Sequence, residues 1–189
     1  VKKGNIDSHE LIAQALKLHS AGNIHDSSKK YQLFLDLGFT DQRVLSNYGV
    51  ICIQLGQIDK AIKLFQQSIN EYPLNSKAYL NLARLLSDRG ELTESERLFH
   101  QYISLNPHEY KAYYLLGSHF LKINKLQDAQ KYFYKAINIQ PDSPEAFYQL
   151  GLTYKLLNDL NKSELFLRKS IELKPSFYSS YLLLGEILQ

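Results

Sequence analysis

The sequence predicts an all-α fold, an α-solenoid of stacked antiparallel helix pairs. Proline recurs with a period of 34 residues, and a fixed period of this length is typical of repeat architectures. Within each period, apolar residues at positions 4, 7, 8 and 11, and again at 17, 20, 24, 27 and 28, have the spacing of one helix face. Glycine or asparagine stands between the two apolar sets. The periodic prolines are Pro73, Pro107, Pro141 and Pro175.

The period divides the chain into five complete units and a half unit. The first unit is the weakest, because Phe39 stands where later units have proline, and the ends of repeat arrays are commonly atypical. The half unit contains a first helix alone. The predicted bounds are 8–41, 42–75, 76–109, 110–143, 144–177 and 178–189, after an N-terminal flank of residues 1–7.

Each unit is predicted to contain a first helix, a tight turn and a second helix. Position 15 is occupied by residue types that readily take the left-handed conformation that ends a helix, and proline at position 32 ends the second helix. Small residues at position 8 let the paired helices approach closely, while serines at position 20 are expected to bond back to their own helix. Position 15 holds Gly22, Gly56, Gly90, Asn124 and Asn158; position 8 holds Gly49, Ala83, Gly117, Gly151 and Gly185.

This pattern resembles the tetratricopeptide repeat family over residues 8–189. The resemblance depends on the Leu-Gly pairs at positions 7 and 8, the aromatic residues at positions 4 and 24 and the proline at position 32. The Leu-Gly pairs are Leu116-Gly117, Leu150-Gly151 and Leu184-Gly185. The resemblance implies a right-handed superhelix whose concave groove is lined by the first helices and binds protein or peptide segments.

Composition excludes several classes of function. The chain has 22 Lys plus Arg and 19 Asp plus Glu in 189 residues, and their interspersed order favours neither nucleic acid nor a membrane surface as partner. Its apolar runs are too short to predict membrane insertion. A single cysteine, Cys52, excludes an internal disulfide, falls at a core position and is compatible with a cytoplasmic location. The sequence has no methionine, which predicts an excised fragment or a processed product.

The sequence contains no motif for catalysis, metal binding or a cofactor. It lacks a Gly-rich phosphate loop, a zinc-protease motif and a nucleophile elbow. The six histidines fall at unrelated positions, without the spacing of a helical metal pair. We therefore expect a protein that is not an enzyme and that needs neither metal nor cofactor.

The candidate ligand site is the variable face of the first helices, at positions 2, 5, 6, 9, 12 and 13. Its cations outnumber its acids, Asp88, Glu145 and Glu186, and this charge favours an acidic or extended peptide. The predicted groove residues are Arg43, Asn47, Lys77, Asn81, Arg84, Lys111, Tyr114, Lys122, Tyr148 and Lys155.

Three interpretations of function remain open from the sequence. The first is a non-catalytic scaffold that binds a protein or peptide in the groove. The second is the N-terminal recruiting part of a larger enzyme such as a transferase. The third is a self-associating array. The half unit 178–189 carries the apolar cluster Tyr181, Leu182, Leu183 and Leu184 without a second helix to cover it, which predicts either self-association through these residues or a longer parent protein.

Overall fold

A computed structural model describes residues 7–188. Of the predicted flank 1–7, residues 1–6 lie outside the described part, as does Gln189 of the half unit. The described residues form α-helices joined by short connections, without a strand. The helices are α1 Ser8–Ser20, α2 Ile24–Asp36, α3 Gln42–Gln54, α4 Ile58–Glu71, α5 Ser76–Arg89, α6 Leu92–Leu105, α7 Tyr110–Lys122, α8 Leu126–Ile139, α9 Pro144–Leu156, α10 Leu160–Leu173 and α11 Tyr178–Ile187.

The turns inside the helix pairs confirm the prediction for position 15. All five residues at this position have a positive φ, between 60° at Asn124 and 83° at Gly90. A side chain with a Cβ is strained in this region, and asparagine tolerates it better than most residues. Each pair is therefore joined by a turn that the sequence specifies locally.

Polar side chains start several of the helices. Asp41 accepts a hydrogen bond from the backbone N–H of Arg43, and Ser143 accepts one from the backbone N–H of Ala146. Such caps satisfy donors that the first turn of a helix leaves without an intrahelical partner. They fix where α3 and α9 begin, and with them the groove candidates of these two helices.

The helices form two compact units, one ending at Leu98 and the other beginning at Phe99. In the first unit α1 packs on α2, α3 on α4, and α4 on α5. A Cβ added to Gly49 would lie 2.5 Å from the ring of Phe65, so the small residue at position 8 allows the close approach. Cys52 is fully buried, and burial raises the pKa of its thiol, as expected for a core cysteine.

The second unit repeats this packing around Gly117 and Gly151. A Cβ on Gly117 would lie 2.8 Å from the ring of Phe133, and one on Gly151 would lie 2.7 Å from Leu167 Cγ. In this unit α7 packs on α8, α8 on α9, α9 on α10, and α10 on α11. The seam between paired helices is thus built from a glycine and a large residue sixteen positions later.

The serines at position 20 differ from the prediction in two of three cases. Ser27 donates to Ile24 O in its own helix, as expected, at 3.0 Å. Ser95 instead donates to Ala83 O at 2.7 Å, and Ser163 to Gly151 O at 2.8 Å, both across the seam to the paired first helix. The helices are close enough there for the hydroxyl to reach the neighbouring carbonyl, so these serines join the pair.

In α11, the face that carries Gly185 is exposed. Apart from its chain neighbours and the backbone of its own helix, no described atom lies within 4 Å of a Cβ added to Gly185. Leu182 is 72% exposed and Tyr181 is 46% exposed. Tyr181, at the aromatic position 4 of the half unit, is not buried, because none of the described residues forms a second helix against it. Leu183 and Leu184 are buried with Leu167.

Candidate ligand-binding groove

In the first unit, the predicted groove residues line two neighbouring cavities on α3 and α5. The amide cavity, about 280 Å³ in volume, brings together Arg43, Asn47 and Lys77. The arginine cavity, about 210 Å³ in volume, contains Asn81 and Arg84. The remaining residues of the amide cavity are Gln42, Ser46, Leu74, Asn75 and Ser76; those of the arginine cavity are Val50, Ile53, Gln54, Leu85 and Asp88.

Asn75 connects the elements that form the amide cavity through two side-chain hydrogen bonds. Its Nδ2 donates to Ser46 Oγ at 2.7 Å and to Ser68 Oγ at 2.8 Å, and both serines are buried. The side chain thereby connects α3 to α4 at the point where α5 begins. Since buried polar groups are costly when unpaired, this network holds the backbone that carries Lys77, two residues after Asn75.

The cations of the first unit differ in their pairing. Arg43 donates two hydrogen bonds to the carboxylate of Asp41, from Nε at 3.0 Å and from Nη2 at 2.9 Å, and these bonds lower the pKa of Asp41. Lys77 and Arg84 are exposed and form no ion pair or side-chain hydrogen bond with the described residues. The charge available to an anionic ligand is therefore concentrated on Lys77 and Arg84.

In the second unit, Lys111 and Tyr114 line a tyrosine cavity of about 300 Å³ with Tyr110, Leu115 and Glu145. The rings of Tyr110 and Tyr114 stack with centroids 5.6 Å apart and an interplanar angle of 25°. The hydroxyl of Tyr110 is hydrogen-bonded to Ser143 Oγ, and that of Tyr114 accepts a hydrogen bond from Gln149 Nε2 at 3.4 Å. Each ring is consequently anchored to the backbone at one end and by a hydrogen bond of its hydroxyl at the other.

The other predicted groove residues of this unit do not line the tyrosine cavity. Tyr148 is half-buried, and its ring meets Phe177 edge-on at 5.6 Å. Lys155 forms an ion pair with Glu186 of α11, and Lys122 lies exposed at the end of α7. Of the five residues predicted in this unit, the structure thus brings Lys111 and Tyr114 together in one cavity.

Sequence reasoning missed Tyr110, which stands at position 1 of its unit. The signal was present, because residues four apart on a helix lie on the same face, and Tyr110 precedes the predicted Tyr114 by four. Leu115 was also missed, since an apolar residue at position 6 interrupts the column in which Asn47 and Asn81 stand.

We expect the stability of the protein to fall as pH rises from about 10 to about 12. Burial raises the pKa of Tyr110 to about 12, from an ordinary value of 10.0, and the charge of Glu145 adds to the shift. Over this range the folded state keeps a proton that the unfolded chain loses, so the free energy of unfolding decreases with pH. Denaturation midpoints should decrease across this range and do so less steeply in Tyr110→Phe. If the midpoints of the parent and of Tyr110→Phe decreased equally steeply with pH, Tyr110 would not be the cause of the pH dependence.

Among residues 7–188, no three His, Cys, Asp or Glu side chains lie close enough to hold a metal ion. The helices described by the structure are each too short or too polar to cross a bilayer.

Comparison with known proteins extends the resemblance seen in the sequence. Residues 53–119 match one family model described as tetratricopeptide repeat, and residues 110–143 and 144–177 match a second with the same description. Together these matches cover residues 53–177. No curated protein sequence matches the chain.

Solved structures share the fold at low sequence identity. A structure of MamA from Desulfovibrio magneticus RS-1 superposes with a TM-score of 0.83 at 17% identity, covering 90% of this chain and 96% of that one. Another MamA crystal structure has 26% identity and a TM-score of 0.69, with coverage of 79% and 84%. YrrB, described as a TPR protein with an unusual peptide-binding site, has a TM-score of 0.79 at 19% identity, with coverage of 93% and 90%. The predicted all-α fold of stacked helix pairs is confirmed.

Proposed function

The chain belongs to the tetratricopeptide repeat family, and from this premise we propose that it is a non-catalytic scaffold that binds an acidic, extended peptide segment along α3 and α5. YrrB, which shares the fold, is described as having a peptide-binding site. The observation that carries the proposal is the pair of unpaired cations, Lys77 and Arg84, each beside an amide side chain in a cavity.

The chemistry of the two cavities suits a peptide rather than a single ion. Asn47 lies with Lys77 in one cavity and Asn81 with Arg84 in the other. A side-chain amide can both donate to and accept from a peptide backbone, while the neighbouring cation attracts a carboxylate. An extended acidic peptide would satisfy both kinds of group at once.

The spacing of the cations favours a particular spacing of the acids. Lys77 and Arg84 are seven residues apart on α5, which is nearly two turns and about 10.5 Å along the axis. In a polyproline II conformation, side chains three residues apart point to the same side and are separated by about 9 Å. We therefore expect a ligand in which two acidic residues are separated by two others.

This expectation can be tested with capped peptides of glycine and serine that carry two glutamates. The separation of the glutamates varies from one to four intervening residues at constant composition, and binding is measured by calorimetry. The peptide with two intervening residues should bind tightest. Together, Lys77→Ala and Arg84→Ala should remove this preference, whereas Lys63→Ala, an exposed cation of α4 outside both cavities, should leave it unchanged. If the double variant bound the peptides as tightly as the parent protein does, the proposal would be refuted.

A second candidate function is self-association through residues 178–189. The exposed surfaces of Tyr181 and Leu182 and the open space at Gly185 favour it, since contiguous exposed apolar side chains are typical of interaction surfaces. Sedimentation at rising protein concentration distinguishes this function from peptide capture by a monomer. The compartment in which either would operate, predicted as cytoplasmic, stays a prediction.

A further inference from the structure

We infer that the tyrosine cavity of the second unit is a pocket for one large apolar side chain that has a carboxylate next to it in the bound peptide. The inference rests on the proposed function in one respect, namely that the ligand is a peptide. It concerns a different unit of the protein and a different chemistry, because the cavities of α3 and α5 each combine a cation with a side-chain amide, whereas aromatic rings line this one.

The walls of the tyrosine cavity are largely apolar and are held before a ligand arrives. Tyr110 and Tyr114 stack on each other, Tyr114 also lies against Phe133 with centroids 6.0 Å apart, and Leu115 also lines the cavity. The hydrogen bonds at the two hydroxyls, Tyr110 with Ser143 Oγ and Tyr114 from Gln149 Nε2, hold the rings in place. A pocket that is already ordered costs little conformational entropy on binding.

The size of the cavity is suited to a side chain. Its volume of about 300 Å³ is at the lower end of the range for small-molecule pockets, so a large cofactor would not be enclosed. Aromatic walls favour an aromatic guest, because stacked or edge-to-face rings gain beyond the area that they bury. Phenylalanine is therefore the expected anchor residue, with leucine as a weaker substitute.

The charges at the rim are unequal. Glu145 accepts a hydrogen bond from Ser143 Oγ at 3.4 Å and lies 3.8 Å from Lys174 Nζ. Lys111 is exposed and forms no ion pair with the described residues, including Glu145 in the same cavity. The rim thus presents one uncompensated cation, and the complementary ligand carries a carboxylate beside its apolar side chain.

Gln149 supplies an acceptor next to this pocket. Its Nε2 makes a single long hydrogen bond to Tyr114, while its Oε1 is buried and has no hydrogen-bond partner among the described residues. Unsatisfied buried polar atoms are uncommon in folded proteins and call for a partner. Because the side chain as a whole is only half-buried, rotation of its amide would let the oxygen accept a backbone N–H of the ligand.

The test uses three capped hexapeptides: Gly-Gly-Phe-Glu-Gly-Gly, the same peptide with Ala for Phe, and the same peptide with Lys for Glu. Binding is followed by the amide signals of the isotope-labelled chain in NMR titrations. The Phe-Glu peptide should shift the signals of Tyr110, Lys111 and Tyr114. The Ala-Glu peptide should bind about tenfold more weakly, and the Phe-Lys peptide about fivefold more weakly.

Two variants separate binding from folding. Tyr114→Ala should abolish the preference for Phe, although it also removes packing on Phe133. Lys111→Glu changes only an exposed side chain and should reverse the order of the Phe-Glu and Phe-Lys peptides. The inference would be overturned if Lys111→Glu still bound the Phe-Glu peptide more tightly than the Phe-Lys peptide. It would also be overturned if the parent protein bound the Phe-Glu and Ala-Glu peptides with equal affinity. Equally tight binding of free phenylacetate would also overturn it, since the occupant would then be a small molecule.

The outcome is independent of the test proposed for α3 and α5. The diglutamate peptides contain no apolar side chain, and their binding is expected to move signals near Lys77 and Arg84. If the hexapeptides shifted the amide signals near Lys77 and Arg84 instead of those around Tyr110, the proposed function would be supported and the inference about the tyrosine cavity would be wrong. If only the diglutamate peptides failed to bind, the acidic groove would fall and the tyrosine pocket would stand.

Discussion

Gly117→Val is expected to lower the free energy of unfolding by about 3 kcal/mol, because it overpacks a rigid seam. A Cβ at this position would lie 2.8 Å from Cδ1 and Cε1 of Phe133, whose ring is completely buried. The ring has little room to retreat, since Tyr114 lies against it. The clash should therefore also disturb the tyrosine cavity.

The matched control is Gly185→Val, at the same position of the half unit. Apart from its chain neighbours and the backbone of its own helix, a Cβ there would meet no described atom within 4 Å, so the unfolding free energy should change by less than about 0.5 kcal/mol. Chemical denaturation followed by circular dichroism measures both variants. If the two substitutions destabilised the protein equally, the seam with Phe133 would not be the cause.

The features of the fold that could be predicted from the sequence are those that individual residue types enforce locally. Asn124 and Asn158 substitute for glycine at position 15, and both adopt the left-handed conformation that the pattern required. Gly49, Gly117 and Gly151 marked the close approach of paired helices, because a backbone without Cβ is what such a seam demands. These constraints act over a few residues and repeat in every unit.

The features that could not be predicted depend on contacts between side chains. From the repeat positions, Arg43 and Lys155 were predicted to be available cations. In the structure Arg43 is hydrogen-bonded to Asp41. Lys155 is paired with Glu186, which is 31 residues away in the sequence. Ser163 reaches across the seam because its rotamer and the helix distance permit it, and neither is visible in the sequence. Tyr181 is exposed because none of the described residues forms a second helix against α11.

The same distinction applies to the candidate site. Position 6 of each unit identified Asn47 and Asn81, and position 2 identified Lys77 and Lys111, because residues at fixed positions share a helix face. The separation of these residues into cavities with cations and amides on α3 and α5 and an aromatic cavity in the second unit was not evident, since the aromatic cavity depends on Tyr110 and on the hydrogen bond of its hydroxyl. The helix face that the repeat positions predict as one surface thus contains separate cavities with different chemistry.

Reversing both unpaired cations, by Lys77→Glu with Arg84→Glu, is expected to weaken binding of the diglutamate peptide by roughly 2 kcal/mol, or more than tenfold. Each substitution replaces an attraction by a repulsion, and exposed pairs contribute up to about 1 kcal/mol each. The corresponding dilysine peptide should gain affinity in the same variant. Neither residue is buried, so the thermal unfolding of the array should be nearly unchanged.

Salt dependence provides an independent measurement of this effect. Raising ionic strength from about 0.1 M to about 1 M shortens the Debye length from about 10 Å to about 3 Å, which should remove most of the difference between the parent and the reversed variant. A control with Lys17→Glu and Lys63→Glu has the same change in net charge at exposed residues outside the cavities, and should bind nearly as the parent does. If this control lost as much affinity, net charge and not the placement of Lys77 and Arg84 would govern binding, and the proposed groove on α3 and α5 would be wrong.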